Sequence, residues 1–168
     1  MVSLVGYTNA GKSTLFRALS REETLVSSRL FSTLDTLIRR IKLGARKPVL
    51  ISDTVGFIRK LPHQLVSAFR ATLEEVVEAD LILHVVDVSD KDRQEKHAVV
   101  LDVLEEIGAG DHPRFTVYNK VDLIGPEDDL PLLRSNEFLV SAVTGEGLPQ
   151  LVEKIVQQVC EGSEAYQT

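Results

Sequence analysis

The sequence has few cysteines, few aromatic residues and no long apolar run, and each scarcity excludes a class of protein. A single cysteine, Cys160, rules out an internal disulfide and is typical of a protein kept in a reducing compartment. Tryptophan is absent and aromatic residues make up only 5% of the chain, so few side chains are available to stack on unpaired bases. The longest apolar runs are too short to span a bilayer. We therefore expect a cytoplasmic protein without stable membrane insertion.

Positive charge is also scarce. The 168 residues carry a net charge of −6. Domains that grip nucleic acid through its phosphates are usually basic, so this chain is not expected to bind DNA. The basic stretches at 39–42, 46–47 and 59–60 are interpreted as solvated faces of strands or loops, the alternative being a local basic patch.

Strand-like and helix-like segments alternate along the chain, which is the length of a single domain, residues 1–168. Strands are predicted at 2–5, 37–43, 48–52, 81–87, 114–119 and 137–140, and helices at 12–20, 62–79, 91–107 and 148–160. This order predicts an α/β fold, with a mostly parallel six-stranded sheet and helices on both faces. Residues 21–36 lack periodicity and are expected to form a long functional loop.

A phosphate-binding motif follows the first strand. The stretch "GYTNAGKS" at 6–13 fits the pattern G-x-x-x-x-G-K-[ST] and lies between a strand and a helix, as the motif requires. Its glycines let successive N–H groups line a phosphate, Lys12 neutralises the outer phosphates, and the Ser13 hydroxyl can ligate Mg²⁺. The predicted contacts of this loop with the nucleotide are Gly6, Tyr7, Thr8, Asn9, Ala10, Gly11, Lys12, Ser13 and Thr14.

Three further motifs follow strands in the same order as in nucleotide-binding folds. In "DTVG", Asp53 is expected to hold Mg²⁺ through water and Gly56 to meet the terminal phosphate. In "NKVD", the Asp122 carboxylate can accept two hydrogen bonds from guanine, which adenine cannot supply. Asn119 would brace the loop and Lys120 would pack over the base. The third stretch, "SAVTGEG", supplies Ser141, Ala142 and Val143, with the Ala142 N–H expected to meet the guanine carbonyl.

Together these motifs resemble a P-loop GTPase, and "LFSTLD" and "DTVGFIRKLPHQLVSAFRATLEEVVEADLILHVVD" resemble the GTPase domain of the HflX family. That resemblance implies Mg²⁺-dependent GTP hydrolysis in a factor that associates with the large ribosomal subunit, possible roles being ribosome splitting or rescue. Members carry an N-terminal domain before the GTPase domain, so this chain is expected to be a domain excised from a longer protein. Where members have Asp-Pro-Thr, this chain has Asp35-Thr36-Leu37, which leaves Thr33 and Thr36 as alternatives for the threonine that closes on Mg²⁺, with Thr33 preferred.

Catalysis is expected to involve Lys12, Thr33 and Gly56. Phe57 stands where many GTPases have a glutamine that positions water. Two substitutes remain open: a K⁺ ion held by Asn9, or a group ordered by the ribosomal partner. An alternative to an enzyme also remains open, namely a GTP-gated binding module with negligible hydrolysis. The four histidines show no metal-ligand spacing, and His84 is expected in the core.

Overall fold

The computed structural model describes residues 1–20, 25–28, 37–41, 48–54 and 73–164. The strands are β1 (Val2–Gly6), β2 (Leu25–Ser28), β3 (Leu37–Ile41), β4 (Val49–Asp53), β5 (Leu81–Asp87), β6 (Arg114–Asn119) and β7 (Glu137–Leu139). The helices are α1 (Lys12–Leu19), α2 (Arg93–Glu106) and α3 (Leu148–Glu164), with a 3₁₀ turn at Val121–Leu123. Residues 73–77 are also helical, and the rest of the helix predicted at 62–79 lies outside the described residues.

One sheet contains all of these strands in the order β2-β3-β4-β1-β5-β6-β7. β1 pairs in parallel with β4 on one side and β5 on the other, and β6 and β7 continue the parallel arrangement. β3 runs antiparallel to β4, and β2 antiparallel to β3. The predicted α/β class and the mostly parallel sheet are confirmed.

The sheet has one strand more than the sequence predicts. β2 lies at its edge, within the segment 21–36 that was expected to be irregular, and the register against β3 shifts between Leu25 and Ser27. A short edge strand with this irregularity leaves no alternating pattern in the sequence, so its pairing is visible only in the structure. The prediction of an irregular segment is therefore wrong for residues 25–28.

Two apolar clusters cover the two faces of the sheet. β1 and β5 are buried almost throughout, which explains their nearly continuous apolar sequences. On one face, Leu15 and Phe16 of α1 and Ile155 of α3 pack with core strand residues. The other face is covered by Val100 and Leu104 of α2 together with helical residues 73 and 76. Helices therefore lie on both faces, as predicted.

The parallel strands end at one edge of the sheet, and the predicted motifs follow them there. Residues 6–13 follow β1, residue 54 follows β4, residues 120–122 follow β6 and residues 140–147 follow β7. In open α/β sheets ligands bind outside the carboxyl ends of the strands. The described part of the chain contains no helix long and apolar enough to cross a membrane.

Candidate nucleotide-binding site

Of the two motif glycines, only Gly11 adopts a left-handed backbone, although the sequence predicts this conformational freedom for Gly6 as well. Asn9 and Gly11 both have left-handed backbone angles, φ 69° and 89°. The Ala10 N–H donates to the Tyr7 carbonyl at 3.1 Å, and the Leu15 N–H donates to the Gly11 carbonyl at 2.9 Å, so α1 begins directly after the loop. Backbone N–H groups turned inward by such a loop, next to a helix N-terminus, form a concave site for an anion.

The two motif glycines lie where a side chain has no room. A Cβ on Gly6 would lie 2.7 Å from the carbonyl oxygen of Val85 in the neighbouring strand. A Cβ on Gly11 would lie 2.2 Å from Nδ2 of Asn119. Glycine at 11 therefore serves both the left-handed backbone and the close approach of the "NKVD" loop.

Lys12, Ser13 and Asp53 form a polar cluster at the start of α1. The Lys12 ammonium donates to Asp53 Oδ1 and to the carbonyl of Thr54, and both Lys12 and Asp53 are 7% exposed. The Ser13 hydroxyl donates to Asp53 Oδ2 at 3.3 Å. Asp53 thus contacts both Lys12, predicted to bind the outer phosphates, and Ser13, predicted to bind the metal. It lies 41 and 40 positions from them in the sequence.

Asn119 connects the phosphate loop to the "SAVTGEG" loop. Its amide nitrogen donates to the Ala10 carbonyl at 3.1 Å, and its amide oxygen accepts from the Ala142 N–H at 3.0 Å. The side chain is buried, so both bonds are protected from competition by water. The bracing role predicted for Asn119 is present.

Lys120 adds a link between the "NKVD" stretch and the phosphate loop. It has a left-handed backbone, φ 68°, and its ammonium donates to the Asn9 carbonyl at 2.7 Å. The same ammonium lies 3.0 Å from Oδ2 of Asp87, while Oδ1 of Asp87 accepts from the Ser89 N–H at 2.9 Å. The sequence offered only one signal for Asp87, its place at the end of a buried strand, and the structure identifies it as the residue that positions Lys120.

Asp122 is exposed at the same edge, and Ser141 orients its carboxylate. The buried Ser141 hydroxyl donates to Asp122 Oδ1 at 2.8 Å and accepts from the Thr144 N–H at 3.1 Å. The other carboxylate oxygen, Oδ2, takes no part in the bond with Ser141. The partnership with Ser141 was not predicted.

The backbone of the "SAVTGEG" loop makes one contact that the sequence did not predict. The Ala142 N–H, expected to be available for the guanine carbonyl, donates to Asn119 Oδ1. A base carbonyl would have to share this donor or meet the N–H of the next residue, Val143, whose side chain is 72% exposed. Because one amide oxygen of Asn119 lies within reach of that N–H, the motif sequence alone could not show which donor remains free.

Several predicted residues lie outside the described part of the chain: Thr33, Thr36, Gly56 and Phe57. Thr14 lies on the first turn of α1, where it is partly buried, and Thr8 and Asn9 are exposed on the loop. No group of three or more His, Cys, Asp or Glu side chains suited to a metal occurs within the described residues. The oxygen atoms of Ser13 and Asp53 are the hard donors that could contribute to Mg²⁺ binding there.

Comparison with known proteins agrees with this geometry. The family described as "50S ribosome-binding GTPase" matches residues 1–120. The protein named GTPase HflX from Caldanaerobacter subterraneus subsp. tengcongensis is 47% identical over 164 residues, covering 98% of this chain and 38% of that relative. The chain thus spans well under half the length of this relative.

Solved structures share the fold. A GTP-binding protein from Sulfolobus solfataricus in complex with GDP superposes with a TM-score of 0.74 at 31% identity, covering 95% of this chain and 52% of that one. Era in complex with MgGDPNP and a 16S ribosomal RNA fragment gives a TM-score of 0.70 at 26% identity, covering 94% and 55%. The resemblance to the GTPase domain of HflX is confirmed, and the chain belongs to the family of 50S ribosome-binding GTPases.

Proposed function

We propose that this chain binds GTP and hydrolyses it to GDP and phosphate with the help of Mg²⁺, acting as the conformational switch of a cytoplasmic HflX-like factor that associates with the large ribosomal subunit. In such a factor the switch would serve ribosome splitting or rescue. Membership of the family supports the reaction, and the relatives named GTPase HflX support the choice of factor.

The observation that carries the proposal is the pair of hydrogen bonds made by Asn119. One buried side chain joins the carbonyl of Ala10, in the phosphate loop, to the N–H of Ala142, in the loop beside Asp122. Asn119 therefore fixes the distance between the loop proposed to bind the phosphates and the loop proposed to bind the base. A nucleoside polyphosphate is the class of ligand that needs both groups at once.

Guanine selectivity is assigned to Asp122. Its carboxylate is exposed, and it is oriented by Ser141, so it can accept hydrogen bonds from the ring N–H and the exocyclic amine of guanine. Adenine has no matching pair of donors, and a carboxylate left unpaired beneath a base is costly.

The residues near α1 fit a divalent cation. Ser13 and Asp53 bring hydroxyl and carboxylate oxygens to within 3.3 Å, and the ammonium of Lys12 already occupies a position beside that carboxylate as a positive charge. When bound, Mg²⁺ would neutralise phosphate oxygens and hold them in place. Lys12 would then leave Asp53 for the outer phosphates, and Asp53 would hold the cation through water.

The remaining groups of the site belong to the proposal too. Thr33 is the preferred residue to close on Mg²⁺ and Gly56 the contact to the terminal phosphate. K⁺ held by Asn9, or a group ordered by the ribosomal subunit, would substitute for the glutamine that Phe57 replaces in sequence. The exposure of Asn9 in the phosphate loop makes its amide oxygen accessible to a cation.

Nucleotide selectivity tests the proposal. Asp122→Asn exchanges one acceptor oxygen for a donor, so the preference should move from GTP toward xanthosine triphosphate by tenfold or more, about 1.4 kcal/mol. Calorimetry with GTP, ATP and xanthosine triphosphate would measure this preference. Asp129→Asn is the matched control, because Asp129 is an exposed residue in the segment between the 3₁₀ turn and β7. Equal affinity of the unaltered chain for ATP and GTP would contradict the proposal.

A further inference from the structure

Exposed leucines are grouped in the stretch between the 3₁₀ turn and β7. Among the described residues, seven large apolar side chains are exposed, and four of them fall between positions 123 and 133: Leu123, Leu130, Leu132 and Leu133. Leu132 is 96% exposed. Single exposed leucines are common, but the last three lie within at most about 11 Å of chain. Grouped apolar side chains bordered by polar residues are typical of an interaction site. We call residues 130–133 the leucine segment.

Hydrogen bonds on both sides hold the backbone of the leucine segment. Before it, the guanidinium of Arg93 in α2 donates to the Asp129 carbonyl at 3.2 Å. After it, the Arg134 N–H donates to Glu137 Oε2 at 3.0 Å. Within it, Pro131 has a fixed φ angle. The leucines are thus presented on a backbone that is already ordered, which lowers the entropy lost when a partner binds.

Negative charge borders the leucine segment. Residues 125–137 carry four carboxylates and only one guanidinium, that of Arg134. Three of these acidic residues directly precede the leucines and are exposed: Glu127, Asp128 and Asp129. Arg93 adds a second guanidinium, so the carboxylates still outnumber the cations here, and the whole chain has a net charge of −6. Such a surface disfavours nucleic acid, an anionic membrane and a second copy of itself, and it favours a positively charged partner.

The leucine segment is better suited to recognition through side chains than through its backbone. Pro131 has no N–H, and the neighbouring Asp129 carbonyl is already bonded by Arg93, so an added β-strand would find few free groups. Beside the segment lies a groove of about 490 Å³, whose lining includes Leu130, Pro131 and His97 of α2. A groove next to exposed leucines suits the apolar face of a helix, whose anchoring side chains recur at i, i+3, i+4 and i+7.

We propose that the leucine segment and its acidic border form a docking site for a basic amphipathic helix of a partner protein. The apolar face of that helix would cover Leu130, Leu132 and Leu133. Lysines or arginines along its edges would face Glu127 and Asp129. None of these residues belongs to the phosphate loop or to the cluster of Lys12, Ser13 and Asp53, so the proposal goes beyond nucleotide binding and does not rest on it.

A synthetic helical peptide is the probe. It has about four helical turns, with leucine at i, i+3, i+4 and i+7 and lysine at the other positions. One control peptide replaces every lysine with glutamate, and a second has the same composition in an order that leaves no apolar face. Without nucleotide, we expect only the first peptide to shift the amide NMR signals of residues 127–133 saturably, and its affinity should fall as the salt concentration rises.

Variants locate the site on the chain. Leu132→Ser should weaken binding of the peptide by at least about tenfold, because it removes a central anchor. Glu127→Gln combined with Asp129→Asn should weaken it by about threefold or more at low salt. The matched controls are Val143→Ser, at an apolar side chain 72% exposed on another loop, and Glu153→Gln, at an exposed carboxylate on α3. Both should bind the peptide like the unaltered chain.

The exposure of these side chains means that the variants should fold, which urea unfolding checks. Equal peptide affinity of Leu132→Ser and the two controls would overturn the proposal, and so would no saturable binding or equal binding of all three peptides. Concentration-dependent dimerisation that Leu132→Ser abolishes would overturn it in favour of a second copy of the chain. An RNA oligonucleotide that competes with the peptide would also overturn it.

Discussion

At the scale of single residues, the pairing of Lys12 with Asp53 links ligand binding to stability. From the sequence, Lys12 is a phosphate-binding residue that faces the ligand, and its removal is expected to leave the fold intact. In the structure both side chains are 7% exposed, and the ammonium holds the carboxylate and the Thr54 carbonyl together. Removing one partner of a buried pair leaves the other charge without compensation.

A single and a double variant measure this link. Lys12→Ala should lower the free energy of unfolding by about 3 kcal/mol without nucleotide, because Asp53 stays buried and unpaired, and Lys12→Met with Asp53→Asn should recover most of that loss. Lys154→Ala, an exposed lysine on α3, is the control and should cost less than about 0.5 kcal/mol. Urea unfolding supplies the values. An effect of Lys12→Ala as small as that of the control would show that the pair contributes nothing to stability.

Gly11 tests the contact between the phosphate loop and Asn119. Gly11→Ala introduces backbone strain at φ 89° and a Cβ only 2.2 Å from Asn119 Nδ2, whereas Gly108→Ala has the same strain at φ 83° with nothing within 4 Å. The strain alone costs about 1–2 kcal/mol. We expect both variants to lose stability in chemical unfolding, and Gly11→Ala to lose more and to bind GDP far less tightly. Equal losses in stability would mean that the loop yields freely and that the close approach imposes no constraint.

The motif residues could be predicted because their chemistry is local, whereas their partners could not. Gly6, Gly11, Lys12 and Asp122 follow from residue type and spacing. The bond from Asn119 to the Ala10 carbonyl joins residues 109 positions apart, and that from Ser141 to Asp122 depends on how two loops approach each other. The bond from the Ala142 N–H to Asn119 Oδ1 likewise depends on three-dimensional distances, so the sequence does not show it, and the contact of this N–H with guanine stays a prediction.

At the scale of elements, buried strands were predicted well and the edge strand was not. β5 has the predicted bounds because a parallel strand with two covered faces requires a nearly continuous apolar run. β6 also has its predicted bounds, although polar residues alternate with apolar ones along it. β2 at the edge has no such requirement, and neither its residue types nor its spacing identify a strand. The helix bounds differ from prediction by a few residues, most at the end of α3, where the amphipathic spacing ends at Cys160 and the helix continues for one more turn without apolar residues.

The packing of β5 against α2 predicts a pH dependence of stability. His84 has a lowered pKa in the folded chain, caused first by burial and then by His97 and Arg114, so the unfolded chain binds the proton more readily. Stability is therefore fully present above the unfolded pKa near 6.5 and falls as the pH drops below it, by up to about 1.4 kcal/mol per pH unit for this one group.

His84→Phe should reduce that slope below about pH 6.5, since an aromatic ring stays and the proton site is lost. His97, whose pKa is lowered by burial, remains in the variant and keeps part of the dependence. Urea unfolding at several pH values gives both slopes. Identical slopes for the two proteins would mean that His84 is not the group that accepts the proton on unfolding.

At the scale of the whole molecule, the described fold brings four separate segments of chain to one edge of the sheet. Asn119 and Lys120 join two of these segments directly to the phosphate loop, so binding at either end of a nucleotide restricts the other. A ligand that binds only the folded chain stabilises it by about 2.7 kcal/mol at a concentration of one hundred times its Kd. This stabilisation requires all four segments together at the edge of the sheet and cannot be attributed to any one loop.

In the proposed hydrolysis of GTP, turnover would depend on what replaces the glutamine that is absent from the sequence after Gly56. If a cation held by Asn9 takes part of the charge that develops during hydrolysis, exchanging Na⁺ for K⁺ should accelerate turnover, and Asn9→Ala should erase the difference. If a partner orders the catalytic groups, adding large ribosomal subunits should accelerate turnover by tenfold or more, a barrier change of about 1.4 kcal/mol.

Phosphate release measured in each salt, with and without subunits, separates the two effects. Asp129→Asn serves as the control for both, since it lies outside the loop and leaves Asn9 unchanged. Turnover that is indifferent to K⁺ and to the subunits would contradict the proposed enzyme and favour a binding module that GTP switches by occupancy alone.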